Sequence, residues 1–234
     1  MPDSIIAVMF DVFGTVVDWR SSIANEVKCV PGLESVDGHE FADSWRGKYQ
    51  PAMERIRTGE RPWTKLDDLH RENLTEVLED LGIGTLSHAQ MDDLNRAWHR
   101  LRPWPDAAEG LHRLKKRYII ATLSNGNVSL IVNMAKHSGL PWDMVLGAEV
   151  VRHYKPQPEA YLKSAEMLDL QPHECMLVAA HNSDLVAASR CGFKTAFVAR
   201  PTEHGPDQDF DLNATGDYDV TARDFLELAD RLGA

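Results

Sequence analysis

Ile5-Ile6-Ala7-Val8-Met9-Phe10, followed by Asp11-Val12-Phe13-Gly14-Thr15, is the stretch that decides the fold. An apolar run without polar alternation is what a parallel strand covered on both faces requires, because neither face meets water. The run is too short to span a bilayer, and the Met1-Pro2-Asp3-Ser4 start carries no basic leader, so neither membrane insertion nor export is expected. It ends abruptly in a carboxylate, a glycine and a hydroxyl. In an open parallel sheet, ligands sit in the crevice beyond the carboxyl ends of the strands, which makes Asp11 a chemical group rather than a solvated charge.

Similar runs recur down the chain: Tyr118 to Leu123, Met144 to Val150, Met176 to Ala180 and Thr195 to Ala199. Each is flanked by helical patterning, and strands alternating with helices imply an α/β fold, a doubly wound, mostly parallel, Rossmann-like sheet. Roughly a hundred residues separate the first two runs, far more than one crossover helix needs. The region from Trp19 to Arg102 is rich in helix formers, as in Leu66 to Asp80 and Ala89 to Leu101, and has no strand-like run. It is expected to be a helical cap over residues 19–102, inserted into a core of residues 1–18 and 103–234. The segment Arg102-Pro103-Trp104-Pro105 reads as the return linker, since its prolines resist helix and favour an extended crossing. A helix from Ala107 to about Arg117 and a closing helix from Arg223 to Leu232 complete the reading. The tail between Pro201 and Asp219 is polar and turn-rich and carries no chemical signal of its own.

With 234 residues the chain can bury a sizeable core, and 43% hydrophobic with 26% charged residues is ordinary globular composition. A net charge of -11 repels polyphosphates and anionic headgroups, which argues against nucleic-acid and membrane partners and for a small-molecule substrate. Cys29, Cys175 and Cys191 are far apart, odd in number and without CxxC spacing, which suits reduced thiols of a cytoplasmic protein.

The residues just past each apolar run are chemically capable: Asp11 to Thr15, then Ser124-Asn125-Gly126, Lys155-Pro156, and His181-Asn182 with Asp184. D-x-x-G-T alone is a weak signal, but its place after an N-terminal strand, with the other groups in order, is a strong one. The set resembles the haloacid dehalogenase superfamily, with DVFGT, LSNGN, HYKP and AAHNSD in the places of its four motifs, across nearly the whole chain. The resemblance implies that Asp11 is a nucleophile, that Ser124 and Lys155 hold its charge, and that the helical insertion caps the site.

Most of that superfamily are phosphatases, which place a second Asp two residues after the nucleophile to protonate the leaving group and help hold Mg²⁺. Phe13 stands there and can do neither. Ala180 replaces a further acidic residue of the fourth motif, so an all-oxygen Mg²⁺ site would be poorly furnished, and a reaction without metal or other cofactor is expected. An aromatic residue in this place resembles the 2-haloacid dehalogenase branch, which attacks carbon and expels halide. The implied mechanism is in-line attack of Asp11 on C2 of a 2-haloalkanoate, inverting that carbon, followed by hydrolysis of the aspartyl ester to a 2-hydroxy acid.

An anionic substrate meeting an anionic nucleophile needs nearby cations, since like charges 4 Å apart repel by about 1 kcal/mol in water and roughly 4 at an effective dielectric of 20. Lys155 and Arg46 are the candidates; Arg46 lies where the dehalogenases carry an Arg that grips substrate and departing halide. Ser124 and Asn125 offer donors to the substrate carboxylate, alongside backbone N–H groups at a helix start. Thr15 is expected to hydrogen-bond Asp11, Tyr161 matches a tyrosine of the branch, and Asp184 is the candidate to orient Lys155 and activate water. Phe13, Asn125, Tyr161, His181 and Asn182 are expected to contact substrate. The fourth motif departs from the branch's S-S-N-x-x-D: His181 takes the asparagine's place, with either a packing or a proton-transfer role, and alters halide preference or substrate. The other histidines show no metal-ligand spacing, and the tryptophans read as packing residues, Trp45 or Trp63 excepted if they line the pocket. Two rivals stand beside this reading: an Mg²⁺-dependent phosphatase of a small metabolite, and a non-catalytic anion-binding relative. A homodimer through cap or core helices is compatible with the family.

Overall fold

The computed structural model describes residues 5–234, so the Met1 to Ser4 start falls outside it. β1 (Ala7–Phe10) is fully buried along its length. Its side chains alternate as a pleated strand dictates: Val8 and Phe10 enter one apolar cluster, Ala7 and Met9 the other. Both faces are therefore covered, which is why the sequence has no polar alternation here. The remaining elements, in chain order, are β2 (Val17–Asp18), α1 (Trp19–Lys28), α2 (Gly38–Gly47), α3 (Tyr49–Arg57), α4 (Leu66–Asp80), α5 (His88–Asn95), β3 (Arg102–Pro103), α6 (Ala107–Leu114), β4 (Ile119–Ser124), α7 (Val128–Ser138), β5 (Met144–Gly147), α8 (Ala148–Val151), α9 (Pro158–Glu166), β6 (Cys175–Ala179), α10 (Asn182–Arg190), β7 (Lys194–Val198), β8 (Val220–Ala222) and α11 (Phe225–Leu232).

The main sheet has six strands in the order β5-β4-β1-β6-β7-β8, every neighbouring pair parallel. From β1 the chain winds outward in both directions, so β1 marks the topological switch point, and the crevice opens at its carboxyl end where Asp11 stands. Phe10 anchors that end, its ring 5.4 Å from those of Trp142 and Phe225.

Between β2 and β3 the chain is helical, and β2 and β3 themselves pair antiparallel, so the outgoing and returning crossings form a two-stranded ribbon. The ribbon was not legible as strands, because two residues each and a proline give no periodic signal. The insertion is also tied to the core by a polar latch: the Asn127 side chain donates to Asp67 at 2.8 Å and accepts the Asp67 N–H, His99 lies 3.0 Å from Asp67, and Asn133 lies 2.9 Å from His99. Arg57 donates to the carbonyl of Lys155 at 2.9 Å.

Beyond shifts of one or two residues, the elements differ from the sequence reading as follows. The run expected as strand to Val150 stops at Gly147, whose φ of 135° breaks the extended path and starts α8. The helix expected over Ala89 to Leu101 starts behind the Ser87 capping box and tightens to a 3-10 turn over Arg96–Arg100. The helix after the linker ends at Leu114 rather than near Arg117. Finally β8, just after the tail read as irregular and before the closing helix, pairs with β7 as the sheet's edge.

The core of the helical segment encloses a histidine. His70 is fully buried, stacked on Trp98 at 4.3 Å between ring centroids, and neither ring nitrogen finds a hydrogen-bond partner among the described residues. Burial pushes its pKa down to about 3, so the folded protein holds it neutral while the unfolded chain protonates it near pH 6.5. A base with a depressed folded pKa contributes stability above its unfolded pKa that is lost as pH falls toward the folded value. Urea unfolding at pH 7 and pH 5 should therefore show the wild type losing about 2 kcal/mol more than His70→Leu over that interval. Equal losses in the two proteins would mean that His70 is charged or solvated in the fold.

Candidate active site

Asp11 leaves β1 still in register, its N–H donating to the carbonyl of Val178 at 3.0 Å. The chain then turns sharply: Val16 N–H bonds to the Val12 carbonyl, and Gly14 takes a φ of 85° that a side chain would resist. The turn brings Thr15 back beneath the carboxylate, where its hydroxyl donates to Asp11 Oδ2 at 2.8 Å and accepts the N–H of Ala180 at 2.9 Å. Arg200 fixes the same turn from behind, donating to the Thr15 carbonyl at 2.9 Å while gripping Asp106 through two bonds of 2.8 Å.

Lys155 comes from the loop before α9. Asn125, just past β4, accepts its backbone N–H at 2.8 Å, and its ammonium donates to Asp11 Oδ1 at 2.9 Å and to Asp184 Oδ2. Asp184, in the first turn of α10, receives the Tyr161 hydroxyl on its other oxygen at 2.6 Å. Burial by itself would raise the Asp11 pKa, but Lys155 and His181 outweigh it and hold the carboxyl far below its usual range. Burial likewise opposes the charge on Lys155, and the two carboxylates push its pKa above the ordinary lysine value. Asp11 is thus an ionised, nearly dry carboxylate, 6% exposed, at the floor of a cleft of about 1010 Å³.

Arg46, on α2, lines the same cleft. Its guanidinium carbon lies 3.9 Å from the ring centre of Tyr49, 5.4 Å from Trp19 and 5.8 Å from Phe13, and its buried Nη1 has no hydrogen-bond partner among the described residues. Phe13 itself is packed edge-on against Trp98, Tyr49 and His70 behind this group and does not line the cleft. It therefore backs the arginine from outside the cleft lining, where it was expected to contact substrate.

The remaining expected residues divide. Asn125, Tyr161, His181 and Asp184 line the cleft. Ser124 is fully buried and its oxygen accepts the Gly126 N–H at 3.0 Å, so it shapes the turn after β4 from outside the cleft lining. Asn182 does not face the cleft: its amide donates to Asp211 and the Asn213 carbonyl, and its oxygen accepts from Thr215 and Tyr218, which ties down the loop before β8. Trp45 is completely buried and Trp63 stacks on Tyr154, so neither lines the cleft; Trp19 does.

Glu203 was not anticipated. It lies in the turn after β7, 2% exposed, with one oxygen accepting the Trp19 indole N–H at 2.9 Å and the other 2.8 Å from His181 Nε2. His181 Nδ1 in turn lies 3.2 Å from Asp11 Oδ2. Inspecting the residues beyond the last long apolar run, as beyond the others, would have exposed both Arg200 and Glu203. The tail thus carries chemistry that its polar, turn-rich composition conceals.

The superfamily's Mg²⁺ does not fit the residues present. Phe13 and Ala180 supply no oxygen ligand from their side chains, and the two carboxylates left in the motifs, Asp11 and Asp184, are already bonded to the Lys155 ammonium, too few for an all-oxygen site. His181, Glu203 and His204 do bring ligand-type atoms within 4.8 Å of one another, contrary to the expectation of scattered histidines. Both Glu203 oxygens are occupied by Trp19 and His181, so this group is a hydrogen-bonded cluster. Among the described residues, no helix is long and apolar enough to cross a membrane.

The family model described as haloacid dehalogenase-like hydrolase matches residues 5–192. An (S)-2-haloacid dehalogenase of Xanthobacter autotrophicus is 32% identical over 198 residues, covering 83% of this chain and 75% of that protein. The solved structure of a defluorinating L-2-haloacid dehalogenase is 50% identical with a TM-score of 0.96, covering 98% of this chain and 96% of that one. A Xanthobacter autotrophicus L-2-haloacid dehalogenase with chloropropionic acid covalently bound is 25% identical with a TM-score of 0.82, covering 98% and 99%. Motifs, topology and these likenesses agree: the chain belongs to the haloacid dehalogenase-like hydrolases, in their 2-haloacid dehalogenase branch.

Proposed function

We propose that the protein hydrolyses short 2-haloalkanoic acids to 2-hydroxy acids through an ester on Asp11. The observation that carries this reading is Arg46, a cation in the Asp11 cleft with a buried, unpartnered N–H and an aromatic surround. A buried donor without a partner costs free energy, and an anion that accepts from it recovers that cost. Halide and carboxylate are both such anions. A leaving halide needs no proton, which agrees with Phe13 standing where a phosphatase keeps its acid.

One Asp11 oxygen attacks C2 as the C–halogen bond breaks on the opposite side, and Arg46 receives the charge that moves onto the halogen. Lys155 offsets the repulsion between the nucleophile and the substrate carboxylate, and holds the Asp11 carboxylate at a fixed angle. Asn125 lines the cleft and fixes the Lys155 backbone, so its role is positioning. Water then opens the ester at the Asp11 carbonyl carbon, leaving C2 untouched. The carbon is inverted once overall.

The proposal extends to residues 19–102 as a cap that brings Arg46 to a core of residues 1–18 and 103–234, and to a cytoplasmic setting, for which the unpaired cysteines Cys29, Cys175 and Cys191 are the support. The defluorinating relative at 50% identity extends it to fluoride.

Halide release from chloroacetate, fluoroacetate and both enantiomers of 2-chloropropionate is the test. Release should survive EDTA and vanish in Asp11→Asn; activity confined to phosphate esters with added Mg²⁺ would mean a phosphatase instead. Arg46→Ala should lower kcat/KM for halide release by about 100-fold or more while the unfolding transition stays in place. Chiral chromatography should find the hydroxy acid inverted at C2, and a product of retained configuration would rule out a single in-line displacement.

A further inference from the structure

We propose that His181, oriented by Glu203, is the proton-transfer group of the ester-hydrolysis half-reaction, with Glu203 as its positioning residue. The inference rests on the Asp11-ester chemistry proposed above.

The geometry is a relay. His181 Nδ1 is 3.2 Å from Asp11 Oδ2, and Nε2 is 2.8 Å from Glu203 Oε2. The other Glu203 oxygen is fixed by the Trp19 indole at 2.9 Å. Space for this carboxylate is reserved: any Cβ on Gly14 would overlap Glu203, so the glycine that closes the Asp11 turn also admits the acid. A carboxylate 2% exposed is costly unless paired, and His181 is the partner that meets it from the cleft. The imidazole is one-fifth exposed and lines the cleft beside Asp11, where water can reach both.

Rival bases are already engaged. Both Asp184 oxygens are held, by Lys155 and by Tyr161, so the water-activating role expected for Asp184 passes to His181. Lys155 is held protonated between two carboxylates. The charged and titratable groups that line the cleft with His181 are Asp11 after β1, Lys155 before α9, Tyr161 on α9, Asp184 on α10, Glu203, His204 and Asp211 after β7, and Asp43, Arg46, Tyr49, Glu54 and Arg57 on α2 and α3.

The charge changes of the reaction set the direction of proton flow. Burial disfavours an imidazolium, but the Glu203 and Asp11 carboxylates outweigh it and keep His181 protonated in the free enzyme. Alkylation turns Asp11 into a neutral ester and expels halide, so one of the two anions holding the proton is gone. His181 releases its proton to solvent, which is the net proton of the overall reaction. Neutral Nδ1 then takes a proton from water as the water oxygen bonds to the Asp11 carbonyl carbon. The bond from that carbon to the ester oxygen breaks, the alkoxide of the product takes the proton from His181, and the hydroxy acid leaves. The resulting Asp11 carboxylic acid passes its proton to His181, which restores the starting state with atoms and charge balanced.

The test combines rapid-quench halide release with intact-protein mass spectrometry on (S)-2-chloropropionate. His181→Gln should release about one equivalent of halide in a burst and accumulate the Asp11 ester, with steady-state turnover about 100-fold down or more. Wild-type turnover in that variant, or loss of the burst together with turnover, would overturn the proposal. Glu203→Gln covers the case in which the first variant fails to fold. It should form ester at the wild-type rate while the acidic limb of hydrolysis moves to lower pH, since an imidazole without its carboxylate loses its proton more easily. A slower variant with an unmoved limb would make Glu203 merely structural. If the wild type releases no halide and forms no ester, the dehalogenase reading itself fails; halide release with unaltered mutants overturns only the relay.

Discussion

One ammonium group, that of Lys155, bridges Asp11 at the end of the central strand and Asp184 at the start of α10, and the arrangement of the site follows from it. A buried cation between two buried anions is favourable only when geometry is good and the remaining lone pairs are satisfied. Here Thr15 and Tyr161 supply hydroxyls, Ala180 fixes Thr15, and Asn125 fixes the Lys155 backbone. Four separate segments of chain must therefore arrive at one point, and the parallel sheet delivers them there because its strands all end on the same side.

The same cluster explains why carbon chemistry replaces phosphoryl chemistry. Where the phosphatases of the fold would place a second acid, this chain has Phe13 backing Arg46. The Asp11 carboxylate is balanced by the Lys155 ammonium, and the leaving group of the proposed reaction meets a guanidinium with an aromatic wall behind it. Counting charges around Asp11 gives three carboxylates, Asp11, Asp184 and Glu203, facing Lys155 and His181. Removing one anion by esterification changes the balance felt by each remaining group, which links the two chemical steps electrostatically.

The sequence by itself determined the sheet, the place of Asp11 at its crevice and the order of the four site segments. Uninterrupted apolar runs alternating with helical patterns read as buried parallel strands, and a carboxylate directly after the first stands at the crevice. Lys155, Thr15, Tyr161 and Asp184 were legible because each sits at a fixed offset from such a run or motif, so local pattern and tertiary place coincide. Tertiary structure alone decided the rest, and for one physical reason: side-chain direction and long-range pairing leave no period in the chain. Asn182 was turned away from the cleft by the loop it secures, and Phe13 was withdrawn behind Arg46 by aromatic packing. Glu203, in a tail with no hydrophobic pattern, became a buried acid only because β7 returns it beneath Gly14, between Trp19 and His181.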